Sequence, residues 1–175
     1  YPHCRFEIVI EPGMSFGTGT HETTELMIKA LLKSDLKDKS VLDMGCGTGV
    51  LSILASLMGA SSVTAVDIDK RAVSATLKNC SLNKIKKINV TEGDLSVVNN
   101  QKFDIILANI FKNTHLVNME SYYRILNDNG LIYLSGFFTE DVSSVKNESE
   151  KWGFKEISKS TKNSWVIQIL KKELL

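Results

Sequence analysis

The sequence predicts a doubly wound, mostly parallel α/β sheet that ends in an antiparallel hairpin. Three observations carry that prediction. From residue 40 onward, short apolar runs alternate with helix-patterned segments, and strands that are apolar on both faces need helices on both sides of a parallel sheet. Four of those runs stop at a glycine or a polar residue, namely Gly45, Asp67, Asp94 and Asn109. The last two runs, residues 154–158 and 164–170, are separated only by the polar SKSTKN region. That is too short for a crossover helix, so the two pair as a hairpin.

Each element has a local reason. Residues 6–10 read as a short leading strand. Residues 21–32 form a helix that Thr20 or a neighbour caps, with Glu22 in the first turn where the helix dipole favours an acid. Residues 41–44 are a strand running into a glycine turn, and residues 50–58 (VLSILASLM) continue as a buried helix stopped at Gly59. A strand at 62–66 ends at Asp67, and Asp69 caps a helix over 70–82. Residues 88–91 form the next strand, closed by Gly93 and Asp94. The most apolar strand, 103–108 (FDIILA), ends at Asn109. A helix over 114–126, a turn at Asn129-Gly130, a strand at 131–135 and a helix over 140–152 lead into the hairpin. With right-handed crossovers the strand ends converge, and ligands of such sheets sit beyond those carboxyl ends.

Composition narrows the function. A formal charge of +1 gives no electrostatic footprint for nucleic acid, and no apolar stretch reaches the length that spans a bilayer. Neither a nucleic acid nor a membrane is therefore an expected partner. Cys4, Cys46 and Cys80 are scattered, which predicts reduced thiols in a cytoplasmic protein rather than a disulfide framework. His3, His21 and His115 share no metal spacing, and in HETTE Glu25 stands where a zinc-protease helix needs its second His. No metal is expected. GTGTHETT lacks the Lys-Ser/Thr of a phosphate-binding loop. The opening YPHCRFEIVIEPG, without Met, reads as the start of a piece whose preceding domain is missing. The expected organisation is one domain: residues 1–39 supply a strand, a loop and a helix, and residues 40–175 the core.

Two glycine stretches carry the chemistry. In DMGCGTG, Gly45, Gly47 and Gly49 follow Asp43 with spacing one residue short of the dinucleotide fingerprint, which argues against a nicotinamide dehydrogenase. Asp43 or the turn carbonyls could accept from the ammonium of a ligand with an amino-acid tail. Asp67 lies 22 residues after Gly45 at a strand end, where an acid accepts from both hydroxyls of a ribose. Asp94 has two readings, an acceptor for an adenine amino group or an ordinary turn acid.

Taken in order, LDMGCGTG, AVDID, GDL and Asn109 resemble the core motifs of seven-stranded S-adenosylmethionine-dependent methyltransferases. The first stretch, EPGMSFGTGTHETT, together with ANIFKN, resembles more narrowly the PrmA-type methyltransferases, which modify lysine and terminal amines of a large-subunit ribosomal protein. The resemblance implies a seven-stranded sheet and S-adenosylmethionine as cofactor. It also implies cofactor contacts from Thr24, Gly45, Asp67 and Asn109, with Asn109 as the catalytic candidate. Residues 16–20, with Phe16, Gly17 and Thr18 as contacts, would fold over the methionine end while residues 45–49, with Gly45 and Gly47 as contacts, support it from beneath. Phe16 has a plain core role as its other reading, and Ile68 and Asp94 complete the cofactor set. It further implies a monomer whose missing domain grips the ribosomal protein. His21 is read as fixing the loop rather than as a base. The chain departs from the family pattern at Glu11, Phe111 and Lys112. Two alternatives stay open: base methylation, disfavoured because prolines are lacking after Asn109, and a cofactor-binding fragment without turnover.

Overall fold

A computed structural model describes residues 5–11 and 21–173. Seven strands, β1 (Ser40–Met44), β2 (Ser62–Asp67), β3 (Ile88–Glu92), β4 (Phe103–Asn109), β5 (Leu126–Phe138), β6 (Phe154–Lys162) and β7 (Trp165–Lys172), form one sheet in the order β3-β2-β1-β4-β5-β7-β6. The first five are parallel, and β7 runs antiparallel between β5 and β6. The helices are α1 (Glu22–Leu31), α2 (Val50–Leu57), α3 (Lys70–Leu82), α4 (Lys112–Ile125) and α5 (Val142–Lys151).

Both faces of the sheet are covered, as the apolar strands require. Successive residues of β1 and β4 point to opposite sides: Val41, Ile105 and Leu107 join Met27 and Leu31 of α1 and Leu54 of α2, whereas Leu42, Ile106 and Ala108 join Met119 and Tyr122 of α4 and Val145 of α5. The doubly wound fold with its closing hairpin is therefore observed.

Several elements differ from the sequence reading. Residues 6–10 form no strand. Their side chains pack against the core through Phe6, Ile8 and Ile10, but the backbone bonds to side chains of α3. The amide of Val9 donates to Asn83 Oδ1 (2.8 Å), Asn83 Nδ2 donates to Val9 O (2.7 Å), and the Glu11 amide donates to Asn79 Oδ1 (3.0 Å). Carboxamides thus stand in for a neighbouring strand. The residue that caps α1 is His21, whose ring accepts from the Thr23 amide.

The hairpin is longer than predicted, because all of SKSTKN but its final Asn163 is strand and the turn tightens to Asn163-Ser164, both with positive φ. A two-residue loop of that hand suits strand twist. The predicted Asn129-Gly130 turn lies within β5: Leu126 pairs with Phe103 and Leu131 with Ile105, so the residues between them bulge out. A short 3-10 turn (Thr139–Asp141) precedes α5 where continuous helix was expected.

Candidate functional site

A cavity of about 440 Å³ opens at the carboxyl ends of β1, β2 and β4. Its volume falls in the range of small-molecule sites. Gly45 and Gly47 form one wall, Asp67, Ile68 and Asp69 a second, and Asn109, Ile110 and Phe111 a third, with His21, Thr23 and Trp165 across the mouth.

The glycine wall is a tight turn. The amides of Gly45 and Cys46 both donate to Val66 O (2.8 and 3.1 Å), and the Gly49 amide donates to Cys46 O (2.8 Å). Gly45 has φ +75°, and a Cβ there would lie 2.3 Å from Ile110 Cγ2. No side chain fits, so the backbone itself faces the cavity.

Asp67 is the anchor of the second wall. Its Oδ2 accepts from the Gly47 amide (3.0 Å) and its Oδ1 from the Asp69 amide (2.9 Å). One bond to each oxygen fixes the carboxylate while leaving acceptor capacity on both. Asp67 is not the cap of α3, since Asp69 does that work by accepting from the Arg71 amide (2.8 Å). Ile68, beside it, is 75% exposed and presents an apolar surface to the cavity.

On the third side are two orphaned atoms. Thr24 is buried in the first turn of α1, and among the described residues its Oγ1 has no hydrogen-bond partner and the buried Oδ1 of Asn109 has none either. Thr24 lies next to the lining residue Thr23 rather than on the lining itself. Thr23 Oγ1 is 2.8 Å from His21 Nδ1, which ties His21 to the helix start; the loop that His21 was expected to fix lies outside the described residues.

Two predicted site residues are placed elsewhere. Asp43 is fully buried and turned toward α2, accepting from the amide (3.0 Å) and hydroxyl (2.6 Å) of Ser52. It is absent from the cavity lining, so its acceptors serve the fold rather than an ammonium group. Burial pushes its carboxyl up to about 6 against the opposing pull of those bonds. Asp94 is exposed and caps the 3-10 turn Leu95–Val98 by accepting from the Ser96 amide (2.9 Å). Its carboxyl is held below the usual range by the Ser96 hydrogen bonds. It too is outside the lining, which favours the turn-acid reading. Phe16, Gly17 and Thr18 lie outside the described residues.

The sequence reading missed Gly136, Trp165 and the supporting role of His115. Gly136 (φ +94°) lets β5 pass against Ile110, whose carbonyl oxygen would sit 2.3 Å from a Cβ at that position. An isolated glycine in LIYLSGFF was the available signal. Trp165 stacks on Phe138 (ring centroids 4.0 Å) and meets His21 edge-on (5.0 Å). His115 is buried beneath the site, donating from Nε2 to Ser135 O (2.9 Å). Burial lowers its pKa to about 4, against the contrary pull of the Ser135 and Ile110 carbonyls. Among the described residues no cluster of His, Cys, Asp or Glu could hold a metal, and no helix is long and apolar enough to cross a membrane.

Comparison with known proteins agrees with this geometry. Residues 2–173 match the family model described as ribosomal protein L11 methyltransferase (PrmA). The chain is 44% identical over 165 residues to the ribosomal protein L11 methyltransferase of Bacteroides thetaiotaomicron, covering 94% of this chain and 59% of that protein. It is 46% identical to the corresponding protein of Porphyromonas gingivalis, covering 94% and 57%. The chain thus spans under three fifths of the length of these curated relatives. The crystal structure of a ribosomal protein L11 methylase from Lactobacillus delbrueckii subsp. bulgaricus superposes with a TM-score of 0.87 at 28% identity, covering 94% of this chain and 84% of that one. A precorrin-6y C5,15-methyltransferase from Geobacter metallireducens, 15% identical with a TM-score of 0.72, covering 88% and 90%, shares the fold.

Proposed function

The chain belongs to the ribosomal protein L11 methyltransferase (PrmA) family, and from that premise we propose that it binds S-adenosylmethionine and transfers its methyl group to lysine and terminal amines of a large-subunit ribosomal protein in the cytoplasm. One observation supports this above the others. A carboxylate locked at the end of β2 and the Asn109 Oδ1, which has no hydrogen-bond partner among the described residues, meet at a single cavity floored by bare glycine backbone, and Thr24, whose hydroxyl is likewise unpartnered, adjoins the lining residue Thr23.

The residues present suit that cofactor. Asp67 would take the ribose hydroxyls, Ile68 would cover the adenine, and Gly45 and Gly47 would support the methionine end, with Phe16, Gly17 and Thr18 assigned to the opposite side. Thr24 Oγ1 and Asn109 Oδ1 need donors, and an amino-acid tail or an incoming amine supplies them. When bound, the cofactor supplies a methyl group activated by an adjacent sulfonium charge.

The chain's own part is orientation and drying. A lysine ammonium has no free lone pair and must lose a proton before it can attack. Ile110 and Trp165 are half-buried at the mouth, and an apolar setting favours the neutral amine. Asn109, through Oδ1, accepts an N–H of that amine and so directs its lone pair inward. No dedicated base is required. Recognition of the ribosomal protein is assigned to the length of the relatives that these 175 residues do not span.

The test is a calorimetric titration with S-adenosylhomocysteine, with NAD alongside and Asp67→Ala as the variant. Saturable binding of the first alone, weakened about a hundredfold by the loss of two charge-assisted hydrogen bonds, is the expected result. Binding of NAD in its place would overturn the reading.

A further inference from the structure

Phe111 stands at the mouth of the cavity with 81% of its surface exposed, on a backbone that is held from several sides. Before it, the Ile110 amide donates to Ser135 O (3.1 Å), and Ile110 is wedged between Gly45 and Gly136. At Phe111 itself, the carbonyl accepts from the amides of Thr114 (3.0 Å) and His115 (3.3 Å). After it, Lys112 Nζ bonds Asp141 Oδ1 at 2.5 Å. A large apolar side chain so exposed gains nothing for folding. Val117 and Leu77 are also exposed, but neither lines the cavity.

Two residues earlier, Asn109 Oδ1 is an acceptor without a donor among the described residues. An aromatic face attracts a cation, and a bare carboxamide oxygen attracts N–H groups. Together they describe a site for an alkylammonium group.

We propose that Phe111 is a specificity-determining residue on the substrate side. Its ring receives the aliphatic stem and charged head of a lysine-like amine before that amine loses its proton and passes to Asn109. The proposal rests on the methyltransferase reading above. Because the ring is exposed, its replacement leaves the core intact.

The experiment saturates the chain with S-adenosylhomocysteine and follows binding of N-acetyl-lysine methylamide and of its uncharged norleucine analogue by chemical-shift titration. Wild type, Phe111→Leu and Phe111→Tyr are compared. The lysine probe is expected to bind roughly tenfold more weakly to the Leu variant, within the span of cation–π contributions, and about equally to the Tyr variant. The norleucine probe is expected to distinguish none of the three. Equal affinity of wild type and Leu variant for the lysine probe overturns the proposal, as does an equal loss for both probes. A wild-type chain that binds S-adenosylhomocysteine but no lysine probe also overturns it while leaving the cofactor reading standing. Failure to bind S-adenosylhomocysteine removes that reading itself.

Discussion

The two sides of the cavity are built on opposite terms. Along β1 and β2, Asp67 is matched at the lining by the amides of Gly47 and Asp69, and Asp43, off the lining, by Ser52. Along α1 and β4, Thr24 and Asn109 are left with buried oxygens that have no partner among the described residues. An unmatched buried oxygen costs about 1–3 kcal/mol, so this second side is held in place by packing and by the neighbouring His115 and Gly136 rather than by its own polar groups. The contrast teaches a division of labour. The matched side sets a shape before any ligand arrives, and the unmatched side is completed by what binds.

The strongest way to break the comparison is Gly136→Ala. Its Cβ would collide with backbone of Ile110 in a left-handed conformation, and neither element can give way without moving Asn109. A loss of several kcal/mol in chemical denaturation is expected, of the size seen when strain and overpacking combine. A variant of unchanged stability would mean that the unmatched side is looser than described.

Acid comes next. His115 titrates at about 4 in the fold against 6.5 when free, so the unfolded chain takes up its proton first. The stability tied to the neutral ring is complete above pH 6.5 and lost as pH falls toward 4, amounting to about 3 kcal/mol. Asp43 works the other way, because its raised value makes the fold hold a proton longer and its contribution decline as pH rises toward 6. Comparing wild type with His115→Gln isolates the histidine, and the variant should show a flatter stability profile between pH 6.5 and 4. Parallel profiles would remove His115 from this role.

Thr24→Val sharpens the contrast at smaller cost. Deleting an unpartnered hydroxyl should leave the free protein as stable or more so, while S-adenosylhomocysteine affinity drops about tenfold, one hydrogen bond's worth. If instead stability falls and affinity holds, Thr24 belongs with the matched side. Asp94→Ala is the mildest test. Ligand affinity should be unchanged and the 3-10 turn it caps slightly weakened; a clear loss of affinity would bring back the adenine contact considered for this residue.

Much of this was legible in the residues. Helix α3 matched its sequence prediction to the residue, because Asp69 is an N-cap with a run of helix formers behind it. Asp67 was separable from Asp69 because a strand-end acid and a capping acid have different neighbours. Residues 6–10 misled for a physical reason: their side chains pack as a strand's would, while their hydrogen bonds go to Asn79 and Asn83, and no local pattern reveals a distant carboxamide. Asp43 and Asp94 misled because a sequence shows that an acid is present but not which way it turns. Trp165 was invisible as a site residue, since it reaches the cavity only through antiparallel insertion of β7 between β5 and β6.

Asn79 has a consequence of another kind. Its carboxamide is buried, donating to Thr48 O (2.8 Å) on one side and accepting from the Glu11 amide (3.0 Å) on the other. One side chain therefore spans from the glycine turn after β1 to the first residue of EPGMSFGTGTH. Exchanging either stretch by itself in the laboratory would put one of these two hydrogen bonds at risk. A chimera that imports the residues preceding β1 from a relative would have to import the matching face of α3 with them, which makes that helix, far along the chain, part of the same exchangeable unit.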